Sequence, residues 1–212
     1  MEFLDPKLDD YVVRNTDPEP QVLQDLNRET YSKILYPRML AGHYQGRVLS
    51  MLSHMIQPKR VLEIGTYTGY SALCWAEGLQ DGGVVDTVEI NEELETMIKK
   101  FWEASEQAHQ IRLHIGHALD LIPQLDGNFD LVYIDADKEN YPHYFDHVID
   151  RVNKGGYIIA DNVLWSGKVI EDQPDHETQS LMDYAQKVHD DPRVSNVLLP
   201  VRDGLLVARK TI

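Results

Sequence analysis

Cysteine, basic charge and long apolar runs are what this 212-residue chain has least of. Cys74 is the only cysteine, so no disulfide can close within the chain, and a cytoplasmic location is expected. Lysine and arginine number 20 against 35 aspartates and glutamates. The resulting formal charge of −15 repels phosphate backbones and counts against DNA or RNA as a partner, though not against a small anionic cofactor at a local site. No run of about 18 apolar residues occurs, so no segment reads as a membrane span. The start, Met1-Glu2-Phe3-Leu4-Asp5-Pro6, carries neither a basic nor an apolar leader region, so no signal peptide is expected. The nine histidines are read as surface or core residues, not as metal ligands; position alone, before the second helix, makes His43 a candidate neighbour of a pocket. Repeats and low-complexity tracts are lacking too. The length suffices for one sizeable core, which predicts a single domain.

What is present is strand–helix alternation behind a helical start. Residues 1–57 read as a helical cover, with amphipathic helices over Pro20 to Tyr36, stopped by Pro37, and over Gly46 to Ile56. From residue 58 onward, strands are predicted at Arg60–Gly65, Gly83–Glu89, Ile111–Ile115, Phe129–Ile134, Gly156–Ala160, Val194–Val201 and Leu205–Lys210. Helices are predicted at Tyr70–Leu79, Asn91–Ala108 with Asn91 as N-cap, Ala118–Leu125, Asn140–Val152 and Glu177–His189, with a polar loop over 168–178. The short Arg202-Asp203-Gly204 connection implies a terminal antiparallel hairpin. The expected fold class is α/β: a Rossmann-like, mostly parallel seven-stranded sheet whose last strand is reversed.

Two acidic clusters about 25 residues apart carry the chemical signal. Asp135-Ala-Asp137-Lys138 follows one apolar strand and Asp161-Asn162 follows the next. Ligands of open α/β sheets lie at the carboxyl ends of such strands, so Asp135, Asp161 and Asn162 are expected side by side. Three oxygen donors without Cys or His suit a hard divalent cation, Mg²⁺, Ca²⁺ or Mn²⁺. Each residue has a plainer reading as well: Asp137 as a helix N-terminal acid, Lys138 as a solvated charge, Trp165 as core.

A second signal is Glu63-Ile64-Gly65-Thr66-Tyr67-Thr68-Gly69-Tyr70-Ser71, between the first strand and a helix. Tyr67 stands where the dinucleotide fingerprint has its middle glycine, which disfavours a nicotinamide oxidoreductase. A nucleoside ligand without pyrophosphate does not need that glycine. Glu89 closes the next strand, where a carboxylate can accept both ribose hydroxyls. Glu63 reads either as a solvated or capping acid, or as a partner for a cationic ligand group. A ligand with a ribose and a cationic amino acid tail is S-adenosylmethionine.

These three segments, with Tyr133 to Tyr141 and Asp161 to Gly167 in order after Val61 to Ser71, resemble the metal-dependent class I O-methyltransferases of the catechol and caffeoyl-CoA type, the small bacterial members above all. The likeness runs from about Met39 to the C-terminus. It implies the strand order 3-2-1-4-5-7-6 and a set of roles. Glu63, Gly65, Thr66 and Ser71 match positions around the methionine part of S-adenosylmethionine, Glu89 the ribose-binding acid, Ala118 a residue beside the adenine, and Ala41 one from the N-terminal lid. Asp135, Asp161 and Asn162 match the metal ligands, with Asp135 also near the cofactor. Lys138 matches the general base, and Lys138, Asn162, Trp165 and Ser166 border the substrate. A small phenolic substrate and a homodimer are implied too.

The chain departs from the plant pattern in two places. The first 30 residues hold only Lys7, Arg14 and Arg28 as basic groups, which favours a small free catechol over a coenzyme A ester. Ser166 stands where the plant enzymes have a substrate-contacting Asn. A non-catalytic S-adenosylmethionine-binding protein of the same fold is the competing reading, and retention of Asp135, Lys138, Asp161 and Asn162 argues against it.

Overall fold

The computed structural model describes residues 5–212, so the reading of Met1 to Leu4 lies outside the described residues. In chain order the elements are α1 (Pro6–Arg14), α2 (Gln21–Lys33), α3 (Gly42–Ile56), β1 (Arg60–Ile64), α4 (Tyr70–Ala76), β2 (Val84–Glu89), α5 (Glu95–Glu103), β3 (Ile111–Ile115), α6 (Ala118–Leu121), β4 (Phe129–Ile134), α7 (Tyr141–Val148), β5 (Val152–Ala160), α8 (His176–Asp190), β6 (Val194–Leu199) and β7 (Leu205–Lys210). The seven strands form one sheet in the order β3-β2-β1-β4-β5-β7-β6. Pairing is parallel in β1·β4, β4·β5 and β2·β3, and antiparallel where β7 lies between β5 and β6. The expected Rossmann-like order with a reversed last strand is thus observed. Among the described residues no helix is long and apolar enough to cross a membrane.

The chain divides into two compact units: Arg60–Gly65 with His117–Ile212, and the described residues up to Lys59 with Thr66–Gly116. In the first, the apolar run of β4 is buried throughout except Asp130, as a strand covered on both faces must be. Val61, Leu62 and Ile64 of β1 and Ile158, Ile159 and Ala160 of β5 are also buried. Tyr141, Phe145 and Val148 of α7 and Leu181, Tyr184 and Val188 of α8 recur at three- and four-residue spacing and are all buried. Tyr184 meets Tyr141 and Phe145 edge to face, at centroid distances of 5.5 and 6.2 Å.

In the second unit α3 packs on α4, and the contact is close because Gly46 lacks a side chain: a Cβ there would lie 2.6 Å from the Tyr70 ring. Arg47 of α3 reaches Glu77, just past α4, through two parallel N–H···O bonds of 2.8 Å, and Ser50 Oγ donates to the same carboxylate at 2.5 Å. Desolvation opposes the Arg47 charge, yet the fork onto Glu77 leaves its pKa raised.

Several predicted boundaries move. The helix expected over Pro20 to Tyr36 ends at Lys33, because Ile34 turns extended and Pro37 opens a 3₁₀ turn instead of merely stopping a helix. The helix expected from Gly46 begins at Gly42. The span Asn91 to Ala108 breaks into a 3₁₀ turn, Glu92–Leu94, and α5; Asn91 does cap it, accepting from Glu93 N at 3.1 Å. Strand β5 starts at Val152 instead of Gly156, which shortens α7. Its early part runs past a register shift opposite Phe129 and Leu131, and the glycines there hid it from periodicity. The loop expected over 168–178 begins inside a 3₁₀ segment, Trp165–Ile170, and yields to α8 at His176.

Removing one partner of a half-buried ion pair leaves the other uncompensated. Glu77→Ala should therefore lower unfolding stability by about 3 kcal/mol, read as a lower urea midpoint with an unchanged slope. A loss under about 0.5 kcal/mol would show that the fork contributes no more than a surface pair.

Candidate active site

The first unit brings the two acidic clusters together through strand register. Ile134 of β4 pairs with Ala160 of β5, so Asp135 and Asp161 follow at the same level. Their backbones extend the ladder: Asp135 N donates to Ile64 O and Asp161 N to Ile134 O, both at 2.9 Å. Chain approach is tight here. Gly65 has φ +100°, and a Cβ on it would sit 2.0 Å from the Asp135 carbonyl oxygen.

Lys138 lies in the 3₁₀ turn Lys138–Asn140 and is 7 % exposed, which overturns its reading as a solvated charge. Its Nζ donates to Asp135 Oδ1 at 3.1 Å, Asn162 Oδ1 at 2.9 Å and Tyr141 Oη at 2.7 Å. Asp161 is buried and accepts from Tyr133 Oη at 2.8 Å and from the backbone N–H of Asn162 at 2.7 Å. Burial, with Asp161 and Asp135 close by, holds the Tyr133 phenol well above its ordinary pKa, so it stays a donor. Burial does the same for Tyr141, whose hydroxyl passes a bond on to the Asp161 carbonyl at 3.0 Å. Tyr133 and Tyr141 escaped the sequence reading. The available signal was a tyrosine inside an otherwise apolar strand and another three residues past Lys138.

Asn162, Trp165 and Ser166 all have left-handed backbone, φ +60°, +44° and +54°. Such a conformation suits Asn and is an outlier for Trp. The turn before β7 holds it: Leu164 N donates to Asp203 O at 2.9 Å and Ser166 N to Asp203 Oδ1 at 2.6 Å. Trp165 is half-buried, with Lys138 Nζ 5.5 Å and Lys168 Nζ 5.9 Å from its ring centroid, so it is not simply core. Ser166 is exposed. Asp137 precedes the turn without capping it by a side-chain bond and instead accepts from Asn140 and Tyr144. Among the described residues no three His, Cys, Asp or Glu side chains form a metal-holding group. The candidate donor set is two carboxylates completed by the Asn162 side-chain amide, and two of its oxygens, on Asp135 and Asn162, already converge on a cationic nitrogen, which fits a hard cation.

Glu63 and Ala118, in this same unit, are buried, Glu63 completely. That overturns the reading of Glu63 as a solvated acid at the strand end. Ala118 is the first residue of α6.

In the second unit the turn from Thr66 is anchored on β2. Thr66 N donates to Val88 O at 3.1 Å, and Thr66 Oγ1 meets Thr87 Oγ1 at 2.6 Å. Tyr67 adopts φ +51°, the left-handed geometry that a glycine would take there without strain. Its amide donates to Glu89 Oε2 at 2.7 Å, while Asn91 N donates to Oε1 at 2.8 Å. Desolvation raises the Glu89 pKa, partly offset by these amides. Ser71 sits in the first turn of α4, and Ala41 immediately precedes α3. His43 Nε2 bonds Asp17 O at 2.7 Å and lines a cavity of about 550 Å³ with Glu19, Asn27 and Arg28.

The Gly65 geometry makes a direct forecast: Gly65→Ala forces a Cβ into a backbone carbonyl and a left-handed φ on alanine. A loss of about 3 kcal/mol or more is expected, checked by thermal melting; an unchanged melting temperature would contradict the close approach of β1 and β4.

Comparison with known proteins follows the same lines. The sequence model of the O-methyltransferase family matches residues 13–211. Caffeoyl-CoA O-methyltransferase 5 of Nicotiana tabacum is 34 % identical over 206 residues, covering 91 % of this chain and 85 % of the relative. The O-methyltransferase from Bacillus cereus in complex with SAH superposes with a TM-score of 0.90 at 30 % identity, covering 97 % of each chain. TomG from Streptomyces achromogenes, an O-methyltransferase involved in tomaymycin synthesis and solved in complex with SAM, gives 0.89 at 27 % identity, covering 97 % of this chain and 96 % of its own. With nearly its whole length matched, the chain belongs to the O-methyltransferase family.

Proposed function

We propose that this protein transfers a methyl group from S-adenosylmethionine to one hydroxyl of a small catechol-type acceptor, with a divalent cation, Mg²⁺ foremost, held by Asp135, Asp161 and Asn162. The observation that carries this reading is the convergence of Asp135 Oδ1 and Asn162 Oδ1 on one cationic nitrogen, 3.1 and 2.9 Å away, beside the buried Asp161. Relatives solved with SAH and with SAM support the choice of cofactor. When bound, the cofactor supplies an activated methyl group and the cation lowers the pKa of a chelated phenol.

The chain's own residues then position and accept. Lys138 is the side chain placed to take the phenolic proton at Nζ once it has itself given up a proton to solvent, and Trp165 and Ser166 border the acceptor. Glu89 receives the ribose hydroxyls, and backbone amides, those of Tyr67 and Asn91 among them, fix the carboxylate for that task. Glu63 pairs with the cationic amino acid tail, Gly65, Thr66 and Ser71 line the methionine part, and Ala118 and Ala41 flank the nucleoside. The family match over residues 13–211 supports one methyltransferase domain. A cytoplasmic homodimer is part of the same proposal.

A second acceptor class, a caffeoyl-CoA ester, is favoured by the names of the relatives, such as the enzyme from Nicotiana tabacum. Against it stands the scarcity of basic groups, Lys7, Arg14 and Arg28, in the first 30 residues.

Labelled S-adenosylmethionine offered with catechols and with caffeoyl-CoA should give transfer to the free catechols that stops with EDTA and returns with Mg²⁺. Asp135→Ala and Asp161→Ala should lower turnover by on the order of 10²-fold or more, with cofactor binding still measurable. Activity that survives both substitutions and exhaustive chelation would sink the metal reading.

Glu89 adds a pH signature. Its folded pKa is raised, so its carboxylate is lost on acidification at a higher pH than for an ordinary glutamate. A neutral carboxyl is the poorer acceptor, so affinity for S-adenosylmethionine should fall as pH drops through that raised pKa. Calorimetric titration across pH tests this, and Glu89→Gln should flatten the profile; an equally steep profile in the variant would assign the effect elsewhere.

A further inference from the structure

An ammonium has three N–H bonds, and Lys138 uses all three: on Asn162 Oδ1 at 2.9 Å, Asp135 Oδ1 at 3.1 Å and Tyr141 Oη at 2.7 Å. Two of these acceptors are candidate cation ligands and the third is not. The nitrogen also lies 4.8 Å from the centroid of the Tyr141 ring and 5.5 Å from that of Trp165. At 7 % exposure its charge is sustained by these partners, since water provides little. The ammonium and a divalent cation therefore draw on the same two oxygens.

We infer that Lys138 is a resident surrogate cation: it holds Asp135 and Asn162 together in the metal-free protein, and divalent-cation binding displaces its amino group from both while Tyr141 retains it. The inference rests on the assignment of Asp135, Asp161 and Asn162 as metal ligands. It has two physical consequences. The ligand oxygens stay gathered around positive charge before the metal arrives, so less ordering remains to be done on binding. Metal affinity is lowered by the competing ammonium, and the Lys138 nitrogen is tied to the carboxylate and the side-chain amide until the metal displaces it. Loading the cation and releasing Lys138 from Asp135 and Asn162 become one event. Tyr141 is suited to keep the displaced amine, because its ring is fully buried and its own proton is committed to the Asp161 carbonyl at 3.0 Å, leaving its oxygen to face the lysine.

The test is calorimetric titration of the full-length protein with Mn²⁺ alone, in the absence of cofactor and acceptor. Wild type is compared with Lys138→Met and with Lys168→Met. Lys168 Nζ flanks the same indole but bonds Asp175 at 2.8 Å, so its removal reports the loss of one nearby charge. Lys138→Met should bind Mn²⁺ about tenfold tighter, the scale of one charge-assisted hydrogen bond, and Lys168→Met should bind as wild type does. Equal affinity in wild type and Lys138→Met, weaker binding, or an equal gain in both variants overturns the inference, the last because charge alone then accounts for it. Mn²⁺ binding by none of the three refutes the ligand assignment and the inference with it. If Lys138→Met does not fold, judged by its melting curve, acetylation of Lys138 in the wild-type protein decides. Peptide mass spectrometry should show faster acetylation with Mn²⁺ than without, and an unchanged or slower rate overturns the inference.

Discussion

Everything chemical in this protein depends on one pairing, the parallel register that sets Ile134 against Ala160. Parallel strands end at the same edge, so the residues that follow them emerge side by side; an antiparallel pair would send Asp135 and Asp161 to opposite ends. The ladder bonds Asp135 N to Ile64 O and Asp161 N to Ile134 O carry the alignment past the formal strand ends. A slip of one residue would exchange the side chains of β4 between two packed faces with different partners, so close packing itself enforces the register on which the acidic pair relies.

Placing charge at that edge creates a solvation problem, and the structure meets it with hydrogen bonds. Asp161 is shielded from water but holds the Tyr133 hydroxyl and the Asn162 backbone N–H. Lys138 fills its three donor positions, and Tyr141 joins it to the Asp161 carbonyl. Both tyrosines keep their protons because burial pushes their phenols upward, which makes them dependable donors beside carboxylates. A polar network of this kind is stable only when each member is satisfied, so its geometry is stiff, and a stiff constellation is what positioning catalysis needs.

Strand identity was legible because parallel strands buried on both faces read as continuous apolar runs, and Phe129-Asp-Leu-Val-Tyr-Ile134 is one. The acidic residues were legible for a related reason: charge directly after such a run has to mark the strand's end. The first four residues of β5 were not, since Val152, Asn153, Lys154 and Gly155 carry no apolar alternation and pair around a register shift. Burial of Glu63 and Lys138 was equally hidden, because a charged residue in a sequence reads as solvated until the tertiary partners are known. The lysine's partners lie 3 and 24 residues away, and only the fold brings Asn162 to it. Tyr67 is the reverse case: its place in the turn was read correctly as a broken glycine motif, and the structure shows the left-handed backbone persisting without the glycine.

Left-handed backbone recurs in the segment that follows β5. From Asn162 to Gly167 four of six residues take positive φ, among them a tryptophan. Each non-glycine residue so placed costs on the order of 1 kcal/mol or more, and the segment holds this shape only because something outside it over-determines the conformation. The turn at Asp203 and Gly204 is that something. Val163 N, Leu164 N and Ser166 N all donate to it, and Gly204, at φ +91°, leaves room for Leu164 where a Cβ would lie 2.6 Å away. The turn in turn is fixed by β7, whose antiparallel insertion between β5 and β6 returns the chain to the edge where Asp161 ends its strand. The reversed last strand, otherwise a detail of topology, is thus the support that keeps Asn162 and Trp165 facing Lys138, and strain in the loop is balanced by ladder hydrogen bonds formed elsewhere in the sheet.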